Sequence, residues 1–515
     1  MTFGAQDDTV RFLMAQGEDA QTIVTHISIV VLTKDRVYKL KRDVVFPYLD
    51  FHTPQIRLAM CEREYALNRR TAPQLYLSAR RITRGDDGAL SFDGDGALID
   101  AVVEMRRFEE ANLLDNLAVA GRLSAPLVER LAERIAQFHD GAEVIEGRGG
   151  ASAMASLLDL GDASSLAKSS VVSAQERRAL ADELRAAAQT HGALLDRRRD
   201  AGKVRRCHGD LTLRNICLVD GEPTPFDCIE FSDALATVDV LYDLAFLLMD
   251  LRRRGLDALA AFALNRYLDH RDEAEGLPLL PFFMALRAAI RADVAAARAL
   301  DADADHAALN AETRDYFDLA RTLLSPATPR VVAIGGLSGS GKSSVAAALA
   351  PLVGAAPGAR TLNSDRLRKK LFGVAPTAPL PQEAYTAAVS ANVYGAMQNE
   401  AARVASFGWC VIVDAVYARE SERDALEEAS KRAGVSFAGF WLEADGPLRV
   451  SRVGARKGDV SDATQEIAAR QRNYDLGEMR WTHIDDAVRE VGVVAQEIAA
   501  RLPPLQPSPV LPERE

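Results

Sequence analysis

The sequence is short of cysteine, of long apolar runs and of positive charge, and each shortage narrows what the protein can be. Its five cysteines are Cys61, Cys207, Cys217, Cys228 and Cys410, and no two of them form a CxxC pair. An odd number without ligand spacing argues for reduced thiols, packed as small buried side chains, rather than a disulfide framework or zinc site. The apolar stretch Leu244–Met249 is closed by Asp250 and Arg252–Arg254, far short of a bilayer span. The opening residues, MTFGAQDDTV, carry aspartates and no basic segment leading into an apolar run, so no signal peptide is expected. The expected location is cytoplasmic, with no membrane partner. Sixty-two Lys and Arg stand against 73 Asp and Glu, a net charge of -11. Nothing resembles a broad basic, aromatic-interleaved stripe, which argues against nucleic acid as a partner.

What remains is a composition of the soluble globular kind, 48% hydrophobic and 26% charged, in a chain of 515 residues too long for one core. The best internal boundary is Leu324-Ser325-Pro326-Ala327-Thr328-Pro329-Arg330, where two prolines end a helical region and an apolar strand follows. The division is residues 1–324, a linker at 325–330, residues 331–502, and a disordered Pro-rich tail at 503–515. Early signals are mostly β: Ile23–Leu32 and Arg36–Lys41 read as strands around a Lys34-Asp35 turn, Arg57–Arg70 as an amphipathic helix, Ala101–Met105 as a strand. Residues 124–323 read as helical around a strand-rich block, Val204–Phe231. After Arg330, strands at Val331–Ile334, Arg360–Leu362, Cys410–Val413, Phe437–Leu442 and Arg480–His483 alternate with helices. That alternation predicts an α/β domain with a parallel sheet covered on both faces.

Candidate chemistry begins at Cys207-His208-Gly209-Asp210-Leu211-Thr212-Leu213-Arg214-Asn215, an aspartate followed five residues later by an asparagine. Phosphoryl transfer to a hydroxyl needs a cation on the nucleotide phosphates, oxygen ligands for Mg2+, and a carboxylate to take or orient the acceptor proton. The chain offers these in order. Lys39 lies inside a strand, and Glu64 on the next helix could pair with it, with Glu62 as a substitute. Asp210 would be the base, with Asn215 and Asp227 as metal ligands. The plain alternative makes Lys39 a strand-edge charge and Asp210 a turn residue.

The HGDLxxxN loop, Asp227 and the later Tyr242-Asp243-Leu244-Ala245 together resemble the aminoglycoside phosphotransferase and choline kinase-like branch of the protein-kinase fold, over most of residues 20–320. The resemblance implies a bilobal α+β kinase-like fold and assigns Asp210 as base and Asp227 as magnesium ligand. Asp243 would tie the catalytic loop by hydrogen bonds. Thr212 and Leu213 stand where the family often has His-Pro, and Thr25-His26-Ile27-Ser28 stands where a glycine-rich phosphate loop would be.

The second motif is Gly335-Gly336-Leu337-Ser338-Gly339-Ser340-Gly341-Lys342-Ser343-Ser344, which fits G-x-x-x-x-G-K-[ST] between a predicted strand and a predicted helix. Its glycines let backbone N–H groups wrap a phosphate at a helix start. Lys342 would reach the β and γ phosphates of ATP, and the Ser343 hydroxyl would bind Mg2+. Asp414, at the end of an apolar strand, could hold magnesium through water or act near the acceptor. Arg452 and Arg456 are four residues apart, so a helix would put both on one face as lid arginines; a solvated basic face is the alternative.

Residues 330–500 resemble the gluconate kinase, polynucleotide kinase and zeta-toxin group of P-loop kinases. That resemblance makes Asp365, in Asn363-Ser364-Asp365-Arg366-Leu367-Arg368-Lys369, the acceptor of the substrate hydroxyl proton, with Arg368 for substrate. A helix cap is the ordinary reading of Asp365. The order of the halves is similar to bacterial bifunctional aminoglycoside phosphotransferase/ATP-binding proteins. The leading expectation is an ATP- and Mg2+-dependent kinase with two modules acting on a hydroxyl of a small-molecule acceptor. The alternatives are an antibiotic-modifying enzyme, a regulatory protein with a silent N-terminal lobe, and a polynucleotide 5′-hydroxyl kinase.

Overall fold

The computed structural model describes residues 4–46, 49–160, 165–301, 304–455, 460–485 and 489–503. The chain divides into two compact units, Met1–Asp162 with Arg185–Asp250, and Ala163–Leu184 with Leu251–Glu515.

In the first unit, six of the described strands form an antiparallel sheet in the spatial order Gln21–Val24, Ser28–Leu32, Arg36–Lys41, Ala97–Arg106, Tyr76–Arg84, Leu90–Phe92. The single strand expected at Ile23–Leu32 is two strands. The chain reverses at Thr25–Ser28, where the Thr25 N–H reaches the Ser28 carbonyl at 2.8 Å and the Thr25 hydroxyl accepts the Ser28 N–H at 2.9 Å. The hydroxyl offers the backbone a local partner that competes with the ladder, which an apolar-run reading does not see.

The following helix is Pro54–Asn68. Thr53 caps it by accepting the Ile56 N–H, and Pro54 sits in the first turn where its missing N–H costs nothing. Its buried face is Arg57, Cys61, Glu64 and Asn68, spaced four, three and four residues apart. Glu64 therefore points inward as expected, but Leu67, taken as the marker of that face, is only half-buried. Two small antiparallel pairs follow, Val204–Arg206 with Thr237–Asp239, and Ile216–Val219 with Glu222–Pro225. They fix the ends of the loops that carry Asp210 and Asp227.

In the second unit, five of the described strands form a parallel sheet in the order Arg360–Asn363, Val411–Asp414, Arg330–Gly335, Ser436–Glu443, Thr482–Asp485. All six residues of Arg330–Gly335 are buried, which requires cover on both faces. One layer of that cover comes from Val345 and Leu349 of the helix Lys342–Leu349 and from Val494 and Ile498 of the helix Val491–Arg501. The last strand starts two residues after its expected position, because Trp481 turns its ring onto Tyr417 and Phe437 instead of entering the ladder. Residues 504–515 of the expected tail lie outside the described residues. No described helix is long and apolar enough to cross a membrane.

Candidate active sites

The first site is assembled by charge. In the strand Arg36–Lys41, side chains two apart share a face, so Lys39 and Lys41 point the same way. The Lys39 ammonium donates to Glu64 Oε1 at 2.8 Å and to Asp227 Oδ1. Lys41, wholly buried, donates to Glu64 Oε2 and to Glu230. Glu64 thus bridges two lysines, while Glu62 is exposed. Burial works against the Lys39 ammonium, but Asp227 and then Glu64 outweigh it and hold its pKa well above the ordinary value. Burial likewise opposes the Asp227 carboxylate, and Lys39 more than compensates, leaving that pKa below the ordinary value. Burial pushes the Glu230 carboxyl upward.

The catalytic-type loop beside it is held from several directions. Asp243 Oδ2 accepts the His208 N–H at 3.2 Å and Oδ1 the Gly209 N–H at 2.8 Å, while His139 Nε2 lies 3.1 Å from Oδ2. The His208 ring donates from Nε2 to the Phe226 carbonyl at 2.9 Å and accepts the Asp210 N–H at Nδ1. Burial lowers its pKa, in keeping with a neutral ring that uses one nitrogen as donor and the other as acceptor. Asn215 Nδ2 donates to the Asp210 carbonyl at 2.9 Å and to its Oδ2 at 2.7 Å, which orients the Asp210 carboxylate and leaves the amide oxygen for other work. Asp227 stands at φ +60°, its N–H on the Tyr76 hydroxyl at 3.2 Å. The next N–H, of Cys228, reaches Asn68 Oδ1 at 2.9 Å, one turn beyond Glu64 on the same helix. An amide oxygen on Asn215 and a carboxylate on Asp227 are hard oxygen donors of the kind Mg2+ takes.

The second site is assembled by backbone. The strand Arg330–Gly335 runs into the loop 336–341 and the helix Lys342–Leu349, with Gly336, Gly339 and Gly341 at φ +144°, +85° and +89°. A Cβ on Gly339 would lie 2.4 Å from the Arg449 carbonyl oxygen, and one on Gly336 would lie 2.6 Å from Ser340 Oγ. Only glycine fits either place. Ser340 is fully buried and its hydroxyl has no hydrogen-bond partner among the described residues. The Lys342 ammonium reaches the Leu337 carbonyl of its own loop at 3.2 Å. Ser344, in the first turn of the helix, is exposed. Ser338 is held by Gln471, whose Oε1 accepts its N–H at 2.7 Å and whose Nε2 donates to its hydroxyl at 3.0 Å.

Asn363, not Asp365, caps the helix Ser364–Leu371, its Oδ1 accepting the Arg366 N–H at 2.9 Å. The same amide donates from Nδ2 to Asp414 Oδ2 at 2.6 Å and to Ser343 Oγ at 3.3 Å. One amide thereby gathers Ser343 and Asp414 at the end of the sheet, a hydroxyl and a carboxylate that are again hard oxygen donors. Burial pushes the Asp414 carboxyl above its ordinary range against the pull of Lys342, and the charge of Asp365 adds to the push, which locates Asp365 near the same site. Arg368 is buried, with Nη1 on the Ala384 carbonyl at 2.6 Å and its guanidinium over the Tyr385 ring. Arg452 is half-buried in the last turn of the helix Gly446–Gly454, and Arg456 lies outside the described residues.

Lys41, Glu230, Asn363, Arg449 and Gln471 were not singled out in the sequence as site residues. Lys41 carried a usable signal, its two-residue spacing from Lys39. The others are brought in by long-range packing.

Residues 58–277 match the model of the phosphotransferase enzyme family, and residues 331–474 match a model described as an AAA domain. Uncharacterized proteins of Mycobacterium bovis and Mycobacterium tuberculosis are 31% identical over 469 residues, covering 88% of this chain and 90% of theirs. Among solved structures, a gluconokinase from Sinorhizobium meliloti is 24% identical, covering 34% of this chain and 91% of its own, with a TM-score of 0.25. A choline/ethanolamine kinase family protein from Mesorhizobium loti is 14% identical, covering 62% of this chain and 94% of its own, with a TM-score of 0.39.

Proposed function

Because the chain belongs to one family with these mycobacterial proteins, and joins a phosphotransferase-family domain to a P-loop kinase-like domain, we propose that it is an ATP-dependent kinase with two sites. Each site passes the γ-phosphate to a hydroxyl of a small-molecule acceptor. The observation that carries this reading is the meeting of Lys39 with both Glu64 and Asp227, from 25 and 188 residues away, in the unit that also holds the Asp210–Asn215 pair. An ion-paired strand lysine and a carboxylate oriented by its own loop are what a phosphotransfer site uses.

In this reading Lys39 exchanges Asp227 for nucleotide phosphate oxygens while Glu64 keeps it aimed. Asp227 and the Asn215 amide oxygen would hold Mg2+, and Asp210 takes the acceptor proton. At the second site the loop N–H groups and Lys342 cradle the phosphates, and Asp365 receives the acceptor proton. Ser343 would ligate Mg2+ there, with Asp414 close behind. The metal supplies charge neutralisation of the transferring phosphate at both sites. Carboxylates oriented this way suit proton transfer from an alcohol.

The test is γ-phosphate transfer from ATP to a metabolite panel with the full chain, compared with Asp210→Ala and Lys342→Ala. Each variant should remove one set of products and leave the other. If Lys342→Ala abolishes all transfer and Asp210→Ala changes nothing, the first unit is not an enzyme and the regulatory reading replaces this one.

A further inference from the structure

The sheet of the second unit ends at the strand Arg360–Asn363, which pairs on one side only with Val411–Asp414. An edge strand presents unpaired N–H and C=O groups on its other side. Here a helix from earlier in the chain, Asp257–His270, lies against that edge. Asn265 Oδ1 accepts the Thr361 N–H at 2.7 Å and Nδ2 donates to the Ala359 carbonyl at 3.0 Å, so one side-chain amide supplies the donor and acceptor that a neighbouring strand would. Asn265 and Arg266 are buried on this helix, and its Ala261 joins the apolar core of the sheet.

One turn on, the C-terminal end of the helix meets a row of cations. Asp269 Oδ1 lies 2.8 Å from Arg360 Nη1, and its Oδ2 lies 2.9 Å from Arg266 and 3.8 Å from Arg366. The Lys370 ammonium donates to the Asp269 carbonyl at 2.7 Å. Cations suit the negative end of a helix dipole, and a carboxylate there adds to the attraction. Arg366 and Lys370 both belong to the helix Ser364–Leu371, whose cap Asn363 binds Ser343 and Asp414. That helix is therefore held at its start by the metal side of the P-loop site and along its flank by Asp269.

We propose that the helix Asp257–His270 is a working part of the second phosphotransfer site, with Asn265 and Asp269 as positioning residues. They fix the strand and helix that carry Asn363 and Asp365, and so set the amide that aligns the Ser343 and Asp414 oxygens, which would receive magnesium. Residues 257–270 fall within the stretch that matches the phosphotransferase family, yet they pack as the missing border of the P-loop sheet. The inference rests on the P-loop reading given above, and it makes a chain cut at the proline linker lack a functional border.

Hydrogen–deuterium exchange of the full chain tests it, using ADP with and without Mg2+ as the probe. Asp269→Asn and Asn265→Ala should speed exchange across residues 360–371 about tenfold, by loosening one cooperative segment. They should raise the Mg2+ concentration at which ADP protects residues 336–349 about fivefold, while ADP protection in excess chelator stays as in the natural sequence, because the coupling runs through the metal side alone. Asp269→Glu should recover most of both effects. Unchanged exchange at 360–371 overturns the proposal, and so does faster exchange with an unaltered Mg2+ requirement, which reduces the helix to a structural border. If ADP with Mg2+ never protects 336–349 in the natural sequence, the P-loop reading fails and takes the positioning role with it, whereas protection with an unaltered Mg2+ requirement in the variants overturns the positioning role alone.

Discussion

The two lysines at the centre of the candidate sites live in opposite surroundings. Lys39 is clasped by carboxylates that come from 25 and 188 residues away, and a second lysine, Lys41, shares one of them. Lys342 reaches a carbonyl of its own loop, five residues back. The first site is thus built by paired charges inside its unit's core, whereas the phosphate loop of the second is written in local backbone, with Asn363, Asp414 and Gln471 packed around it from afar. Charge removal at the first should damage the fold, and at the second only the function.

The largest effect should come from Lys41→Met, which leaves the buried Glu230 without its lysine and takes one of Glu64's two. A loss of about 3–5 kcal/mol of first-unit stability is expected from breaking such a buried network. Lys342→Met should change second-unit stability by no more than about 1 kcal/mol, the usual range for a change outside a core. The tryptophans, Trp409, Trp441 and Trp481, all lie in the second unit, so their fluorescence follows its unfolding alone, while exchange within residues 36–68 follows the first. Equal losses from the two variants would break the contrast.

A backbone change should reverse the pattern. Gly339→Ala forces a Cβ onto the Arg449 carbonyl at a positive φ, with an expected cost of about 1–3 kcal/mol to the second unit. Nucleotide binding at 336–344 should go with it, and exchange in the Lys39 strand should not respond.

Acid should sharpen the comparison more gently. Burial holds the native His208 ring below its ordinary pKa of 6.5. The unfolded chain then binds a proton that the native ring refuses, so this contribution is complete above pH 6.5 and is lost as pH falls below it toward the native value. His208→Gln should flatten that acid slope. Denaturant midpoints followed stepwise downward from pH 7 are the measurement. A slope unchanged by the substitution would show that another group dominates.

The same contrast explains what could be read in advance. The P-loop was legible because its glycines, lysine and serine perform one local task within nine residues, and the strand before it and helix after it follow from ordinary periodicity. Lys39, Glu64, Asp210, Asn215 and Asp227 were legible only as an ordered series, since no short window contains their geometry. Lys41 and Glu230 stayed hidden because a buried lysine or glutamate reads as surface until its partner is known. Asn363 was passed over in favour of Asp365 as the cap, since aspartate and asparagine cap about equally well and a one-residue shift in the helix start decides between them. The strand break at Thr25–Ser28 turns on a hydroxyl hydrogen bond, which apolar patterning does not register.

Asp227 holds a left-handed backbone that glycine adopts freely and asparagine tolerates better than most residues. Asp227→Gly would ease that backbone, but it would take from the buried lysine pair a charge that the first unit's core is built around. It would also leave Lys39 to Glu64 alone and remove the carboxylate assigned to the metal in the proposed first site. The ease of the backbone alone would choose glycine there, and the charge of Lys39 keeps an aspartate, so the strain at this one residue is the mark that the site leaves on the chain.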